Sequence, residues 1–128
     1  MKHSIFALLS CLFGAMGSCG AADFTSITPQ EFQKVIADTT VQVVDARTAA
    51  EYAEGHIARA TNIDVLQADF ASKAAAALDV KRTVAVYCRS GRRSKKAARI
   101  LADKGYRVVE LDKGFIGWSE AQLPIVEQ

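Results

Sequence analysis

Cys88 stands between an apolar run and the start of a helical pattern, and three arginines follow it closely. The run Thr83–Tyr87 predicts a buried strand, and the pattern from Ser94 predicts a helix. A loop of this kind can direct its own N–H groups and those of the helix start at one point. Gly91 also permits a backbone conformation that other residues resist. We therefore expect an anion cradle at the sulfur of Cys88.

The same loop favours nucleophilic chemistry. Helix N-termini and nearby arginines stabilise a thiolate relative to the thiol, and the thiolate is the nucleophile. Arginines can also hold an anionic substrate through charge-assisted hydrogen bonds. Cys88 is thus the candidate catalytic residue, and the substrate-binding candidates follow it directly: Arg89, Ser90, Gly91, Arg92 and Arg93.

The composition indicates one ordinary domain with no nucleic-acid role. The chain has 128 residues, half of them hydrophobic, and a formal net charge of +2, which suits a single core. Its basic residues crowd between Arg89 and Arg99. Such crowding fits a local anion site better than a nucleic-acid surface, which usually spreads its charge widely.

Residues 1–22 are predicted to be an export signal. A short basic start precedes an apolar stretch that is too short for a comfortable transmembrane helix. Cleavage before Asp23 would follow small residues, whereas cleavage before Cys19 would follow a lipobox-like sequence and make Cys19 a lipidation candidate. An uncleaved anchor is the third reading. In each case the domain, residues 23–128, is expected outside the cytoplasm, in the periplasm or as a membrane-anchored lipoprotein.

Cysteine usage sets Cys88 apart. Cys11 falls within the apolar signal segment and Cys19 at or beside the cleavage point. Exported proteins usually pair their cysteines, so an unpaired Cys88 suggests a reactive thiol or an intermolecular bond. The alternative is a small buried hydrophobic residue.

Strands and helices alternate along the rest of the chain. Strands are predicted at Val41–Asp45, Ala60–Asp64, Thr83–Tyr87 and Arg107–Leu111. Helices are predicted at 29–37, 48–55, 65–78, 94–104 and 114–121. This alternation indicates an α/β fold with a central parallel sheet of about five strands and helices on both faces. Ligands of such sheets gather at the carboxyl ends of the strands, where Cys88 lies.

Several motifs together resemble the rhodanese family of single-domain sulfurtransferases. The loop "YCRSGRRS" is similar to the family's active-site loop, and "VVDART..EY..GHI" is similar to its Asp-x-Arg and Gly-His-Ile segment. "ATNID" and "ELDKGFIGW" match in order and spacing. There are two departures: Ile57 is followed by Ala-Arg-Ala where the family commonly has Pro-Gly-Ala, and the C-terminal Gly-Gly pair is reduced to Lys113-Gly114.

The resemblance implies a rhodanese-like domain that transfers a sulfane sulfur through a persulfide on Cys88. The donor would be thiosulfate or a similar compound, and the acceptor would be cyanide, a low-molecular-weight thiol or a thiol protein. Two-step covalent catalysis of this kind predicts ping-pong kinetics. No metal and no cofactor are implied. A membrane contact is expected only through a lipid anchor.

Four further residues are assigned supporting roles. Asp45 ends a strand on the same sheet edge as Cys88, so we expect it to pair with a loop arginine and support the loop. Arg47 either pairs with Glu51 or lines the site. His56 is a candidate general base, although a structural histidine is favoured. Trp118 is expected in the core and the site wall, with a partner for its indole N–H.

Two other functions remain open. A cysteine phosphatase or arsenate reductase has an arginine six positions after its cysteine, but here that position is Ser94 and Arg93 comes one residue early. A non-turnover persulfide carrier, or a partner-binding rhodanese module, is the other alternative. Binding modules of this class typically lose the cysteine, whereas a carrier would keep it.

Overall fold

The computed structural model describes residues 23–127, in which five strands alternate with five helices. The strands are β1 (Thr25–Ile27), β2 (Gln42–Asp45), β3 (Thr61–Asn62), β4 (Val84–Tyr87) and β5 (Val108–Leu111). The helices are α1 (Pro29–Ile36), α2 (Ala49–Glu54), α3 (Phe70–Ala77), α4 (Arg92–Asp103) and α5 (Gly114–Glu120).

All five strands pair in parallel, in the order β1-β5-β4-β2-β3. The register pairs Asp45 with Tyr87 across β2 and β4, so both strands end at the same level. Cys88 follows Tyr87 directly and therefore lies at the carboxyl edge of the sheet. Parallel sheets concentrate ligand sites at this edge.

Hydrophobic residues cover both faces of the sheet, and this confirms the predicted α/β architecture. On one face, Val44, Val86 and Cys88 pack with residues of α3 and α4. On the other face, Val43, Ala85 and Tyr87 pack with residues of α1 and α5. The central strand β4 is buried throughout, as the continuous apolar run requires.

The helix starts follow from local chemistry. Thr28 and Thr48 both form capping boxes, in which each threonine hydroxyl accepts from the N–H three residues on, and the glutamate there accepts from the threonine N–H. Helix α4 has no such cap, because its N-cap residue is Gly91, which has no side chain and adopts the left-handed conformation with φ of 104°. Helix α4 therefore starts at a glycine whose backbone N–H also donates to the sulfur of Cys88.

The structure differs from the prediction in one strand and in one helix start. Strand β1 was not predicted; it has three residues and pairs at the sheet edge with β5. The predicted helix start at Val65 is wrong, since α3 begins at Phe70. Asp64 accepts from the backbone N–H of Leu66, and this turn delays the helix.

Between residues 23 and 127, no helix combines the length and the apolar character that a membrane crossing needs. The predicted signal, Cys11 and the lipidation candidate Cys19 lie outside the described residues.

Candidate active site

Cys88 is a free cysteine at the base of the loop between β4 and α4. Its exposure is 1%, so the loop and the core cover the sulfur in this state. The Gly91 N–H donates to Sγ over 3.2 Å, and the Ser94 hydroxyl lies 3.4 Å from Sγ. The sequence predicts several converging amides at this sulfur. Within residues 23–127, Gly91 supplies the backbone hydrogen bond to this sulfur.

Helix α5 closes the loop from the other side. The Phe115 N–H donates to the Cys88 carbonyl over 2.8 Å, and the Ile116 N–H donates to the Arg89 carbonyl over 3.0 Å. A Cβ at Gly114 would lie 2.4 Å from that Arg89 oxygen, and φ of Gly114 is 63°. The retained glycine of the Lys113-Gly114 pair therefore stands where a side chain does not fit. The α5 backbone, which was not predicted to belong to the site, thus holds the Cys88 loop.

The loop arginines divide into two groups. Arg89 and Arg92 are exposed, as is Ser90 between them. Arg93 instead forms a two-pronged ion pair with Glu51, with distances of 2.8 and 2.9 Å. Hydrogen bonding to Arg93 lowers the pKa of Glu51 to about 2, and the same pair raises the pKa of Arg93. The Arg93 guanidinium is therefore engaged with α2, which leaves Arg89 and Arg92 as the arginines available to an anion.

The predicted pairing of Asp45 with a loop arginine is wrong. Asp45 binds Arg47, with 2.6 Å between Oδ2 and Nη2, and both side chains are buried. The Tyr87 hydroxyl also donates to Oδ2, over 2.6 Å. Burial, followed by the charge of Asp45, raises the pKa of Tyr87. Both carboxylate oxygens of Asp45 therefore bind Arg47, and neither binds an arginine of the Cys88 loop.

Arg47 connects this buried pair to the loop. Its guanidinium donates to the Gly55 carbonyl over 2.7 Å and lies 4.3 Å from the centroid of the Phe115 ring. Since the Phe115 N–H binds the Cys88 carbonyl, Arg47 supports the loop through an aromatic contact. The alternative pairing of Arg47 with Glu51 is not formed, because Glu51 binds Arg93.

His56 and Trp118 make packing contacts and backbone hydrogen bonds that are typical of structural residues. The His56 ring stacks on Tyr52 with 3.7 Å between centroids, and its Nδ1 lies 2.9 Å from the Tyr52 carbonyl. Trp118 packs edge-on against Phe32 and donates from Nε1 to the Pro124 carbonyl over 2.8 Å. Trp118 belongs to the core on the face of the sheet opposite Cys88.

Three residues near the sulfur were not recognised from the sequence: Ser94, Lys95 and Glu110. Glu110 is fully buried in β5, and Ser94 bridges it to the sulfur with Oγ–Oε2 and Oγ–Sγ distances of 2.5 and 3.4 Å. The sequence does contain a signal for these residues, which is the acid Glu110 within the otherwise apolar run of β5. A buried carboxylate needs partners, so polar residues were to be expected beside it.

Comparison with known proteins agrees with this geometry. A family model described as "Rhodanese-like domain" matches residues 28–121, and the chain belongs to this family. The match spans every strand except β1 and includes the whole Cys88 loop.

Curated relatives are linked to sulfur transfer by their names. A "Sulfurtransferase" from Allochromatium vinosum is 37% identical over 102 residues, which are 78% of this chain and 92% of the relative. "Thiosulfate sulfurtransferase GlpE" from Shewanella oneidensis is 31% identical, over 78% of this chain and 97% of the relative. A "Putative sulfur carrier protein YrkF" from Bacillus subtilis is 30% identical, over 83% of this chain and 57% of the relative.

A solved structure shares the fold. The crystal structure of a rhodanese-related protein from Thermoplasma volcanium superposes with a TM-score of 0.73 at 28% identity, covering 82% of this chain and all of that one. Membership of the family, together with relatives named for sulfur transfer, supports a general role of this chain in sulfur transfer.

Proposed function

We propose that this domain is a thiosulfate-type sulfurtransferase in which Cys88 carries the transferred sulfur as a persulfide. The observation that carries the proposal is the placement of Cys88 at the base of the loop that leads into α4, where the Gly91 N–H donates to its sulfur. A helix start and loop amides favour a negatively charged sulfur. The exposed Arg89 and Arg92 supply positive charge near Cys88 for an anionic donor.

The two proposed steps are balanced nucleophilic displacements. The Cys88 thiolate attacks the outer sulfur of thiosulfate, the S–S bond of thiosulfate breaks, and sulfite leaves with the bonding electron pair. Cyanide then attacks the outer sulfur of the persulfide, which yields thiocyanate and restores the Cys88 thiolate. A thiolate acceptor would take the sulfur in the same way and become a persulfide itself.

A Cys88→Ser substitution tests the nucleophile. Thiocyanate formation from thiosulfate and cyanide should fall to background, since a serine hydroxyl does not form the persulfide. Mass spectrometry of the thiosulfate-treated wild type should show one added sulfur atom on the peptide that contains Cys88. Turnover that survives in Cys88→Ser would refute the assignment.

A persulfide carrier is the second candidate, because Cys88 is only 1% exposed and a buried sulfur is well protected. The same two measurements separate the candidates. A stable added sulfur without thiocyanate formation would favour the carrier, and turnover would favour the enzyme.

A cysteine phosphatase is disfavoured by the residue at the position where that class has its arginine. Ser94 is there, and its hydroxyl lies 2.5 Å from the buried carboxylate of Glu110. The arginine that would bind the phosphate oxygens in that class is therefore missing from this position, and Arg93 beside it is paired with Glu51. Release of phosphate from a generic ester would overturn this argument.

Arg89 and Arg92 are proposed to bind the donor. Arg89→Gln and Arg92→Gln should each raise KM for thiosulfate by about tenfold, the usual effect of losing one charge-assisted hydrogen bond. Arg99→Gln is the matched control, since Arg99 is exposed further along α4. An equal effect of all three substitutions would show a general effect of charge, without specific binding.

We further propose that the domain acts outside the cytoplasm and passes sulfur to small thiols or a thiol protein. The basic and apolar pattern of residues 1–22 supports export. Mass spectrometry of the native protein's N-terminus distinguishes a chain that starts at Asp23 from one that starts at a lipidated Cys19. A native chain that retains Met1 in the cytoplasmic fraction would contradict export.

A further inference from the structure

Glu110 is a fully buried carboxylate in β5, and each of its oxygens has a partner. Oε1 accepts from the Ser26 hydroxyl over 2.6 Å and lies 3.2 Å from Nζ of Lys95. Oε2 accepts from the Ser94 hydroxyl over 2.5 Å. The strand pairing of β1 with β5 brings Ser26 beside Glu110, since these two residues are in register. Nothing in the sulfur-transfer steps uses this carboxylate directly.

Ser94 connects Glu110 to the reacting sulfur. Its hydroxyl has one proton, and its oxygen lies within hydrogen-bonding range of three acceptors: Oε2 of Glu110, the Gly91 carbonyl at 3.2 Å and Sγ of Cys88 at 3.4 Å. While the proton is directed at Glu110, the Ser94 oxygen accepts from a Cys88 thiol. A Cys88 thiolate is stabilised further if the hydroxyl turns and donates to the sulfur. The two protonation states of Cys88 therefore favour different directions of the Ser94 hydroxyl.

Lys95 supplies the positive charge that faces Glu110. Burial is the largest single influence on the pKa of Lys95 and lowers it, but the hydrogen bond to Asp112 and the charge of Glu110 leave this pKa above its ordinary value. Lys95 is therefore charged at neutral pH, with Nζ 2.9 Å from Asp112. Removing Lys95 would leave the carboxylate of Glu110 without its cation.

Other charges face this region from several elements. Arg93 of α4 lies within electrostatic reach of Cys88 and of Asp64, and it is paired with Glu51 of α2. Asp112 follows β5 and is about half exposed. Arg89 and Arg92 are exposed on the loop side. Glu110 differs from all of these groups because it is fully buried and one hydroxyl away from the sulfur.

We propose that the Glu110–Lys95 pair acts through Ser94 as a positioning group that sets the pH at which Cys88 becomes nucleophilic. The inference rests on the proposed function only in taking Cys88 as the reacting residue. In this arrangement the carboxylate directs the Ser94 proton away from the sulfur and opposes the thiolate by its charge. Lys95 offsets that charge, so the thiolate forms at a lower pH than Glu110 alone would allow.

The test compares the rate of Cys88 alkylation by iodoacetamide across pH in the full chain. Glu110→Gln keeps the size and an acceptor for Ser94 but removes the negative charge, so the pH midpoint of alkylation should fall by about one unit. Lys95→Met removes the positive charge, so the midpoint should rise by about one unit. Lys96→Met is the matched control, because Lys96 is exposed on the same helix, and it should leave the midpoint in place.

Opposite shifts of the alkylation midpoint in the two variants support the inference. If the pair had a purely structural role, both variants would shift the midpoint in the same direction or leave it in place. Shifts in the same direction, or none, would overturn it. If Glu110→Gln does not fold by circular dichroism, the comparison of Lys95→Met with Lys96→Met decides alone, and equal midpoints overturn the inference. Alkylation requires no sulfur donor, so these midpoints can shift even if thiocyanate formation is absent, and the proposed function then fails separately.

Discussion

Gly91 should be highly sensitive to substitution. Its φ is 104°, and a Cβ there would lie 2.2 Å from the Asp112 carbonyl oxygen, which is backbone. Gly105 has nearly the same φ, 100°, but the nearest atom to its added Cβ is a methyl carbon of Val80 at 3.7 Å. Gly91→Ala therefore combines backbone strain with a steric clash, whereas Gly105→Ala introduces the strain alone.

The expected loss of stability follows from these two contributions. A left-handed conformation costs a residue with a Cβ roughly 1–2 kcal/mol. Forcing the segments at Gly91 and Asp112 apart adds about 1–3 kcal/mol, as overpacking usually does. Gly91→Ala should thus lower the free energy of unfolding by about 3 kcal/mol, and Gly105→Ala by about 1.5 kcal/mol. In a domain of this size each kcal/mol corresponds to a change in Tm of about 4–8 °C.

Urea unfolding and thiocyanate formation together provide the assay. Gly91→Ala should also reduce kcat strongly, because the shift displaces the N–H that donates to the Cys88 sulfur. Gly105→Ala lies at the end of α4 and should keep wild-type kcat at a temperature where both variants are folded. Equal losses of stability in the two variants, or full activity in Gly91→Ala, would refute the importance of this close approach.

Two further predictions concern buried and half-buried polar groups. Glu51 has a pKa of about 2 in the folded state, below its ordinary value of 4.5, because Arg93 binds its carboxylate. The pair should therefore contribute about 1–2 kcal/mol above pH 4.5, and this contribution should vanish as the pH falls towards 2. Urea unfolding of wild type and Glu51→Gln should show a difference at pH 7 that shrinks at pH 3, and a constant difference would contradict the pairing. Tyr87→Phe should cost about 2–3 kcal/mol, since it strips a buried donor from Asp45 and an acceptor from a backbone N–H. Tyr52→Phe, which loses one hydrogen bond to a carbonyl, should cost only about 1 kcal/mol in the same assay.

Periodicity in the sequence was enough to predict most of the fold, and the misses have physical reasons. The strands β2, β4 and β5 are mostly apolar and almost wholly buried, so their strand character is visible in the sequence without reference to a partner strand. The edge strand β1 has only three residues and depends on β5 for its hydrogen bonds. In α3 the apolar pattern was misleading, because Leu66 is 58% exposed and contributes nothing to the core face.

The candidate site was predictable where neighbours in the chain build it. Cys88 and Gly91 share one loop, so their contact follows from local sequence. The ion pairs were harder to predict, because the sequence offers several acids and several arginines that could pair with one another. Arg47 lies two residues from Asp45 and folds back onto it, whereas Arg93 reaches Glu51 across the sheet edge. Local pattern does not say which of these pairs forms.

The position of β5 between β1 and β4 has a consequence for the order in which the protein matures. A growing chain that ends before Val108 already contains Cys88. In that chain β1 lacks its pairing partner β5, and Ser94 lacks the carboxylate of Glu110. Pairing Thr25 with Val109 joins segments far apart in the chain, which is a slow step in folding. The sheet and the surroundings of the sulfur are therefore completed together, and a chain that ends before Val108 holds Cys88 and Ser94 without the Glu110 carboxylate that Ser94 binds.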